Sequence, residues 1–284
     1  MSFMPVSSHL SINEQMIPFH GKTSLRQYVK NKSNPVGLKN FVLTTSKGLV
    51  LGFFIYQGAS TWPSGQPEPD LGLGGSVVKK LVEGRVLREH VVYFDRYFRS
   101  ITPLQYLMER KIYAVGTISV SHIPSALKSK FTADKELMET GRGSFDEFIT
   151  EDGKISALKW IDNCSVTVAS TFSGASPTNV VKRWDRKAKE FIEVPQPKCM
   201  SNYNKVVGGV NLCDRMYKKD EQALSVGKKS IMDLLDSKIY IGESLSSGAT
   251  AIRQDIYSSD SESEFHEVAP TKRAKIVQIP NKDV

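Results

Sequence analysis

Apolar and polar residues alternate near the start of the chain, and short apolar runs follow, a pattern typical of β-strands. Residues 9–16 alternate in this way. Residues 38–45 and 49–56 are rich in β-branched and aromatic side chains and are separated only by Ser46-Lys-Gly48. A short polar break between two such runs indicates a hairpin. The first 56 residues therefore predict three strands.

In residues 74–120, segments with the apolar spacing of a helix alternate with apolar runs typical of strands. Gly74-Gly-Ser76 is predicted to open a helix with an apolar face, and residues 91–94 form a continuous apolar run, as in a strand buried on both faces. Pro103 suits the first position of a helix over 104–110, and residues 112–120 form another strand. The predicted apolar face of the first helix consists of Val77, Val78, Leu81 and Val82.

The order of three strands, helix, strand, helix and strand predicts an α/β fold, with a ribonuclease H-like mixed sheet flanked by helices. We place the first part of this core at residues 7–120 and an insertion or sheet continuation, rich in β-structure, at 121–198. A returning core helix is placed at 199–216. The divergent tail at 217–284 is low in apolar residues around Ser258 and is predicted to be largely disordered.

Two of these segments have local features that refine the prediction. Residues 127–150 are charged and are predicted to be helical or irregular, whereas 155–160 and 165–171 form a predicted hairpin around Asp162-Asn163. Residues 201–216 are predicted to form one helix. The pair Gly208-Gly209 weakens that prediction by about 1 kcal/mol per glycine.

Composition excludes some classes of protein. The chain has 284 residues and is 40% hydrophobic, which is enough for a sizeable core. It has no apolar run of the roughly 20 residues that a membrane span needs, and its start lacks the layout of a signal peptide. The cysteines are too widely spaced for a disulfide framework or a zinc site, so we expect free thiols in a reducing compartment. They are Cys164, Cys199 and Cys213.

The net charge of +8 is concentrated at the front of the chain. Among residues 1–50 the only acid is Glu14, and we take the basic residues around it as candidates for contact with DNA phosphates. A solvated basic face without a partner remains the alternative. The candidates are Lys22, Arg26, Lys30, Lys32 and Lys39.

Seven segments of the chain stand in a distinctive order and spacing. They are Leu10-Ser-Ile-Asn13-Glu-Gln-Met, Gly37-Leu-Lys-Asn-Phe, Gly72-Leu-Gly-Gly-Ser, Tyr93-Phe-Asp95-Arg-Tyr-Phe, Gly141-Arg-Gly-Ser-Phe, Val181-Lys-Arg-Trp-Asp and Tyr203-Asn-Lys-Val-Val-Gly-Gly-Val-Asn211-Leu-Cys-Asp214-Arg-Met. Together they resemble piggyBac family transposases over residues 7–216. The resemblance implies a transposase core of the DDE type, in which three acids bind Mg²⁺ and, in active relatives, carry out cut-and-paste transfer at TTAA targets.

The resemblance also implies a role for four residues. Asp95 matches the second acid, whereas Asn13 and Asn211 stand at the positions of the first and third acids. Asp214 matches a further acid that the family keeps beside the third. An asparagine can ligate a metal but carries no charge, so we expect Asp95 and Asp214 to bind Mg²⁺ weakly or not at all. An Asp at a strand end can also be simply a turn or capping acid.

Three functions remain open from the sequence. The first is a transposase-derived protein without catalytic activity, located in the nucleus, that keeps DNA or partner binding. The second is a residual metal-dependent nuclease or transposase, and the third is a decayed element product. The cluster at 270–275 matches a nuclear import signal. We expect the long N-terminal region and the zinc-binding C-terminal module of relatives to be missing, which leaves homodimerisation open.

Overall fold

The computed structural model describes residues 7–30, 32, 34–98, 101–119, 129–224 and 275–277. They belong to two compact units. The first unit comprises residues 1–87 and 206–268, and the second comprises 88–205 and 269–284. In the part of the chain with described coordinates, no helix is long and apolar enough to cross a membrane.

The first unit is built on antiparallel strands. β3 pairs with β1, β2 and β4, with Asn13 opposite Val42 in the β1–β3 register. The three predicted strands are confirmed as β1, β3 and β4, and β2 is a short addition that the sequence pattern did not reveal. The elements are β1 (His9–Pro18), β2 (Arg26–Tyr28), β3 (Val36–Thr45), β4 (Val50–Ile55), α1 (Gly72–Val82) and, later in the chain, α5 (Gly209–Leu224).

The apolar face predicted for α1 is buried, and so are apolar residues of β1 and β3. Leu10, Ile12 and Phe41 have no exposed surface. The predicted apolar face of α1 is buried along its whole length. On α5, Val210 and Cys213 pack against Val42 and Val50. Hydrophobic periodicity therefore located the core of this unit correctly.

The second unit contains a mixed sheet. β5 and β6 are parallel and are joined through α2, β6 pairs antiparallel with β9, and the antiparallel run continues from β9 to β8 and β7. The short β12 lies parallel to β7. The sheet elements are β5 (Val91–Phe94), α2 (Thr102–Glu109), β6 (Tyr113–Thr117), α3 (Asp134–Glu139), β7 (Phe145–Thr150), β8 (Ser156–Ile161), β9 (Ser165–Ser170) and β12 (Lys275–Val277).

A separate hairpin and a helix follow β9 along the chain. β10 (Asn179–Asp185) and β11 (Glu190–Gln196) form a separate two-stranded hairpin, and α4 (Lys198–Val206) follows it. The hairpin was not predicted, since its alternation is interrupted by charged residues at the turn.

The prediction that residues 127–150 are helical or irregular is partly wrong, because β7 begins at Phe145. The charged residues that masked the strand are buried and hydrogen-bonded. Asp146 accepts bonds from the backbone N–H and hydroxyl of Thr132, at 2.8 and 2.7 Å. Glu147 accepts bonds from the Ser156 hydroxyl at 2.6 Å and from the Ala175 backbone N–H at 2.9 Å. Such bonds offset the cost of burying a carboxylate.

The single helix predicted over 201–216 is two helices, α4 and α5, with a break after Val206. The break accompanies a close backbone approach at Gly209, where a Cβ atom would lie 2.5 Å from the carbonyl oxygen of Thr45. The hydroxyl of Ser11 donates to the carbonyl of Val207 at 3.0 Å. The Ser11 hydroxyl thus provides a hydrogen bond to the Val207 carbonyl, which lies at the break between the two helices.

The predicted tail at 217–284 contains two described elements, the end of α5, which continues to Leu224, and the short strand β12. The predicted disorder around Ser258 and most of the basic cluster at 270–275 lie outside the described residues. The three cysteines are free thiols, as expected, with Cys164 exposed and the other two buried. Burial and the charge of Glu147 raise the pKa of Cys199 to about 12, so this thiol stays protonated at neutral pH.

Candidate functional site

One face of β1 is covered by α5, and this packing places Asn13. Ser11, Asn13 and Gln15 point to the same face because strand side chains alternate. The hydroxyl of Ser11 reaches the carbonyl of Val207 just before α5, and the amide of Gln15 donates to the Asp214 carboxylate on α5. Asn13 is buried between these two hydrogen bonds, with 7% of its surface exposed.

A chain of amides orients the Asp214 carboxylate. Asn40 on β3 donates its amide N–H to the side-chain oxygen of Gln15 at 3.0 Å, and Gln15 in turn donates to Asp214. These two residues were not among the sequence-predicted site residues. Gln15 lay within the β1 motif, two residues from Asn13, and that spacing was the available signal.

The side-chain oxygen of Asn13 is itself engaged. It accepts the backbone N–H of Glu14 at 2.8 Å. On α5, Asn211 is exposed and Asp214 is partly buried one turn later. Residues three apart on a helix are neighbours, so Asn211 and Asp214 lie on adjoining turns. The first unit therefore holds Asn13 and Asp214 at its β1–α5 packing and displays Asn211 to solvent.

Asp95 lies in the second unit, directly after β5. Its carboxylate accepts the backbone N–H of Tyr97 at 2.8 Å, and its carbonyl accepts the N–H of Phe98 at 3.2 Å. This is the geometry of a turn acid that starts the short 3-10 helix Arg96–Phe98. The turn role that the sequence left open is therefore real. A metal-binding role for Asp95 remains a prediction.

The first unit supplies few of the ligands that a two-magnesium centre of the DDE type would need. Mg²⁺ exchanges its waters for anionic oxygens, and such a centre uses several carboxylates. Among Asn13, Asn211 and Asp214, only the last carries charge. Within the described residues no group of three or more His, Cys, Asp or Glu side chains could hold a metal ion.

Glu14 points to the opposite face of β1 and has its own partners. The Nζ atoms of Lys39 and Lys32 lie 2.9 and 3.0 Å from its carboxylate oxygens. Burial raises the pKa of Glu14, but the hydrogen bond and charge of Lys39, together with those of Lys32, outweigh it. The net pKa lies below the ordinary 4.5. Glu14 is thus an ionised partner of two lysines.

This pairing divides the five predicted DNA-contact residues into two groups. The side chain of Lys39 is only 9% exposed and that of Lys32 is 33% exposed, and both form ion pairs with Glu14. Lys22, Arg26 and Lys30 are exposed, on and around the three-residue strand β2. Of the five candidates, these last three therefore face solvent, and we call them the β2 cation row.

The fold is that of a transposase. A cryo-EM structure of the piggyBac transposase synaptic complex with hairpin DNA matches this chain with a TM-score of 0.59 and 23% identity, covering 89% of this chain and 50% of that one. The family model described as Transposase IS4 matches residues 1–236. The chain belongs to this family, and the resemblance to piggyBac transposases seen in its sequence is confirmed.

Two human relatives make the relationship more specific. PiggyBac transposable element-derived protein 3 of Homo sapiens is 33% identical over 233 residues, which are 81% of this chain and 38% of that protein. PiggyBac transposable element-derived protein 2 of Homo sapiens is 29% identical over 214 residues, which are 74% of this chain and 35% of that protein. The chain therefore spans well under half the length of these curated relatives.

Proposed function

We propose that this chain is a piggyBac transposase-derived domain that binds DNA in the nucleus and lacks strand-transfer activity. The observation that carries the proposal is the state of Asn13. It is a neutral amide at the position of the first acid, it is buried, and its oxygen already accepts the Glu14 N–H.

The loss of charge at two positions is the physical basis for inactivity. Replacing aspartate by asparagine at positions 13 and 211 removes two negative charges from a set that has to balance two divalent cations. In a partly desolvated site each lost charge costs several kcal/mol of metal binding, on the order set by Coulomb's law at reduced dielectric. Glu14 is a poor substitute because it points away from Asn13 and is held by Lys39 and Lys32.

Two observations support retention of DNA binding. The β2 cation row is exposed and has no acidic neighbour in sequence between Lys22 and Lys30. The fold is shared with a transposase whose structure was solved with hairpin DNA. Exposed lysines and arginines bind phosphates by releasing counterions, independently of DNA sequence.

Restoring the acids tests the inactivity. The double variant Asn13→Asp, Asn211→Asp is expected to bind Mn²⁺ at least tenfold more tightly than the native chain in isothermal titration, because two charges return to the set. The acceptor oxygen at position 13 is retained by aspartate, so the bond from the Glu14 N–H can persist.

The matched control is Asn204→Asp, which adds charge at an exposed position of α4 and should leave Mn²⁺ affinity unchanged. Equal affinity of the native chain and the double variant would show that positions 13 and 211 are not former metal positions. Metal-dependent plasmid nicking by the native chain that disappears in Asp95→Ala would refute the inactivity.

Removing the β2 cation row tests the DNA binding. In Lys22→Ala, Arg26→Ala, Lys30→Ala, the slope of log affinity for duplex DNA against log salt should fall by up to about 2.7, since each lost phosphate contact removes about 0.9. The control removes three exposed cations of the second unit, Arg88, Lys111 and Lys135, and lowers net charge equally. If both triples reduce the slope alike, binding is due to net charge and not to the row.

A further inference from the structure

The β10–β11 hairpin displays two aromatic rings to solvent. Trp184 and Phe191 are cross-strand neighbours, with ring centroids 5.2 Å apart and planes at 70°. Trp184 is 48% exposed and Phe191 is 69% exposed. Large aromatic side chains are usually buried, so a pair of them on an outer face calls for a function.

The opposite face of the hairpin is anchored to the rest of the second unit. Arg183 binds the Asp162 carboxylate at 2.9 Å, and Arg142 binds the same carboxylate. The indole N–H of Trp160 donates to the carbonyl of Pro195 at 2.9 Å. Val194 is buried. These contacts fix the inner face of the hairpin to the second unit. Its outer face is therefore already ordered, which lowers the conformational entropy lost when a ligand binds.

Charged residues form the turn that joins the two ring-bearing strands of the hairpin. The Asp185 carboxylate accepts the backbone N–H groups of Lys187 and Ala188, at 2.7 and 3.0 Å, which fixes the turn. Lys189 completes it in a left-handed conformation, with φ of 56°. Arg186, Lys187 and Lys189 are all exposed. The turn between the two ring-bearing positions thus carries three exposed cations, together with the acids Asp185 and Glu190.

We propose that this outer face binds single-stranded nucleic acid, with unpaired bases stacked on Trp184 and on Phe191 and the adjacent phosphates on the tip cations. Aromatic platforms beside basic residues bind single strands without sequence preference, because every base has a π-face. A duplex keeps its bases stacked inside and offers the rings no partner.

The charge of the face favours a nucleic acid over other occupants. A second copy of the hairpin would bring the same three tip cations, only partly offset by Asp185 and Glu190, against their equivalents. A protein partner would find only a small apolar area, because the Lys182–Glu193 pair separates the two rings from Val180 and Pro195. The proposal does not rest on the β2 cation row, since it uses other residues in the other unit.

Tryptophan fluorescence provides a direct test with the full chain. Of its three tryptophans, Trp62 and Trp160 are 8% and 2% exposed, so Trp184 at 48% dominates the quenchable emission. Titration with a dT12 oligonucleotide should quench this emission by stacking. The variant Trp184→Ala, Phe191→Ala, followed by anisotropy of a labelled dT12, should bind about tenfold or more weakly.

Three further variants sharpen the result. Trp184→Phe should retain most of the affinity because it keeps a ring, and Val180→Ala, on the same face, should bind as the native chain does. Arg186→Ala, Lys187→Ala, Lys189→Ala should reduce the salt slope by up to about 2, at about 0.7 per single-strand contact. The triple variant of the β2 cation row should quench normally, which separates this proposal from the proposed function.

Several results would overturn the proposal. One is an absence of quenching by dT12, and another is equal competition by a blunt duplex, which would indicate phosphate contacts alone. A loss of affinity in Val180→Ala as large as in the double aromatic variant would indicate general apolar adhesion. Concentration-dependent dimerisation that is lost in Trp184→Ala, Phe191→Ala would assign the face to self-association. Melting curves check that each variant is folded.

Discussion

Replacing Lys39 by methionine is expected to lower the free energy of unfolding by about 3–5 kcal/mol, the usual cost of removing one partner of a buried ion pair. The side chains of Lys39 and Glu14 are each only 9% exposed. Methionine keeps much of the apolar part of the lysine side chain, so the decrease in the free energy of unfolding is due mainly to the lost positive charge. Without Lys39 the Glu14 carboxylate keeps its burial and retains only the more exposed Lys32. Urea unfolding followed by circular dichroism measures the change.

The matched control is Lys32→Met, which removes the other cation from the same carboxylate. Because the Lys32 side chain is 33% exposed, its loss should cost at most about 1 kcal/mol. Adding Glu14→Gln to Lys39→Met should recover part of the stability, since no charge is then left unpaired. Equal effects of the two lysine variants would contradict this account. So would a double variant that is less stable than Lys39→Met alone.

Replacing Gly209 by alanine is expected to destabilise the chain by about 1–3 kcal/mol, as overpacking does in a tightly packed interior. A Cβ atom there would lie 2.5 Å from the Thr45 carbonyl oxygen and 2.6 Å from the Thr44 hydroxyl. The Thr45 carbonyl oxygen belongs to the backbone of β3, so it cannot move away from the added Cβ atom unless α5 is displaced from β1 and β3. Thermal and urea unfolding measure the loss.

The neighbouring glycine provides the control. A Cβ atom at Gly208 meets nothing within 4 Å. Gly208→Ala should therefore leave stability unchanged or raise it by about 0.4–1 kcal/mol, through a less flexible unfolded chain. The two substitutions are chemically identical and one residue apart. If they have the same sign and size, the close approach at Gly209 does not determine the packing of α5.

The candidate site illustrates what a motif can and cannot predict. The resemblance to piggyBac transposases pointed to Asn13, Asn211 and Asp214 as candidates, and the structure places Asn13 and Asp214 at the β1–α5 packing. The resemblance did not identify Asn40, which reaches Asp214 only through Gln15. That contact joins residues on β3, β1 and α5, and no local pattern encodes a partner so distant along the chain.

The sequence by itself determined the order of the main strands and helices, the buried faces of β1 and α1, and membership in the transposase family. These follow from periodicity and motif spacing, which are properties of neighbouring residues. Only the tertiary structure decided which basic side chains form ion pairs: Lys39 pairs with Glu14, whereas Arg26 faces solvent. It also decided that the predicted helix divides before Gly209 and that Trp184 is exposed. The physical reason is that burial, ion pairing and close backbone approach depend on which distant segments pack together.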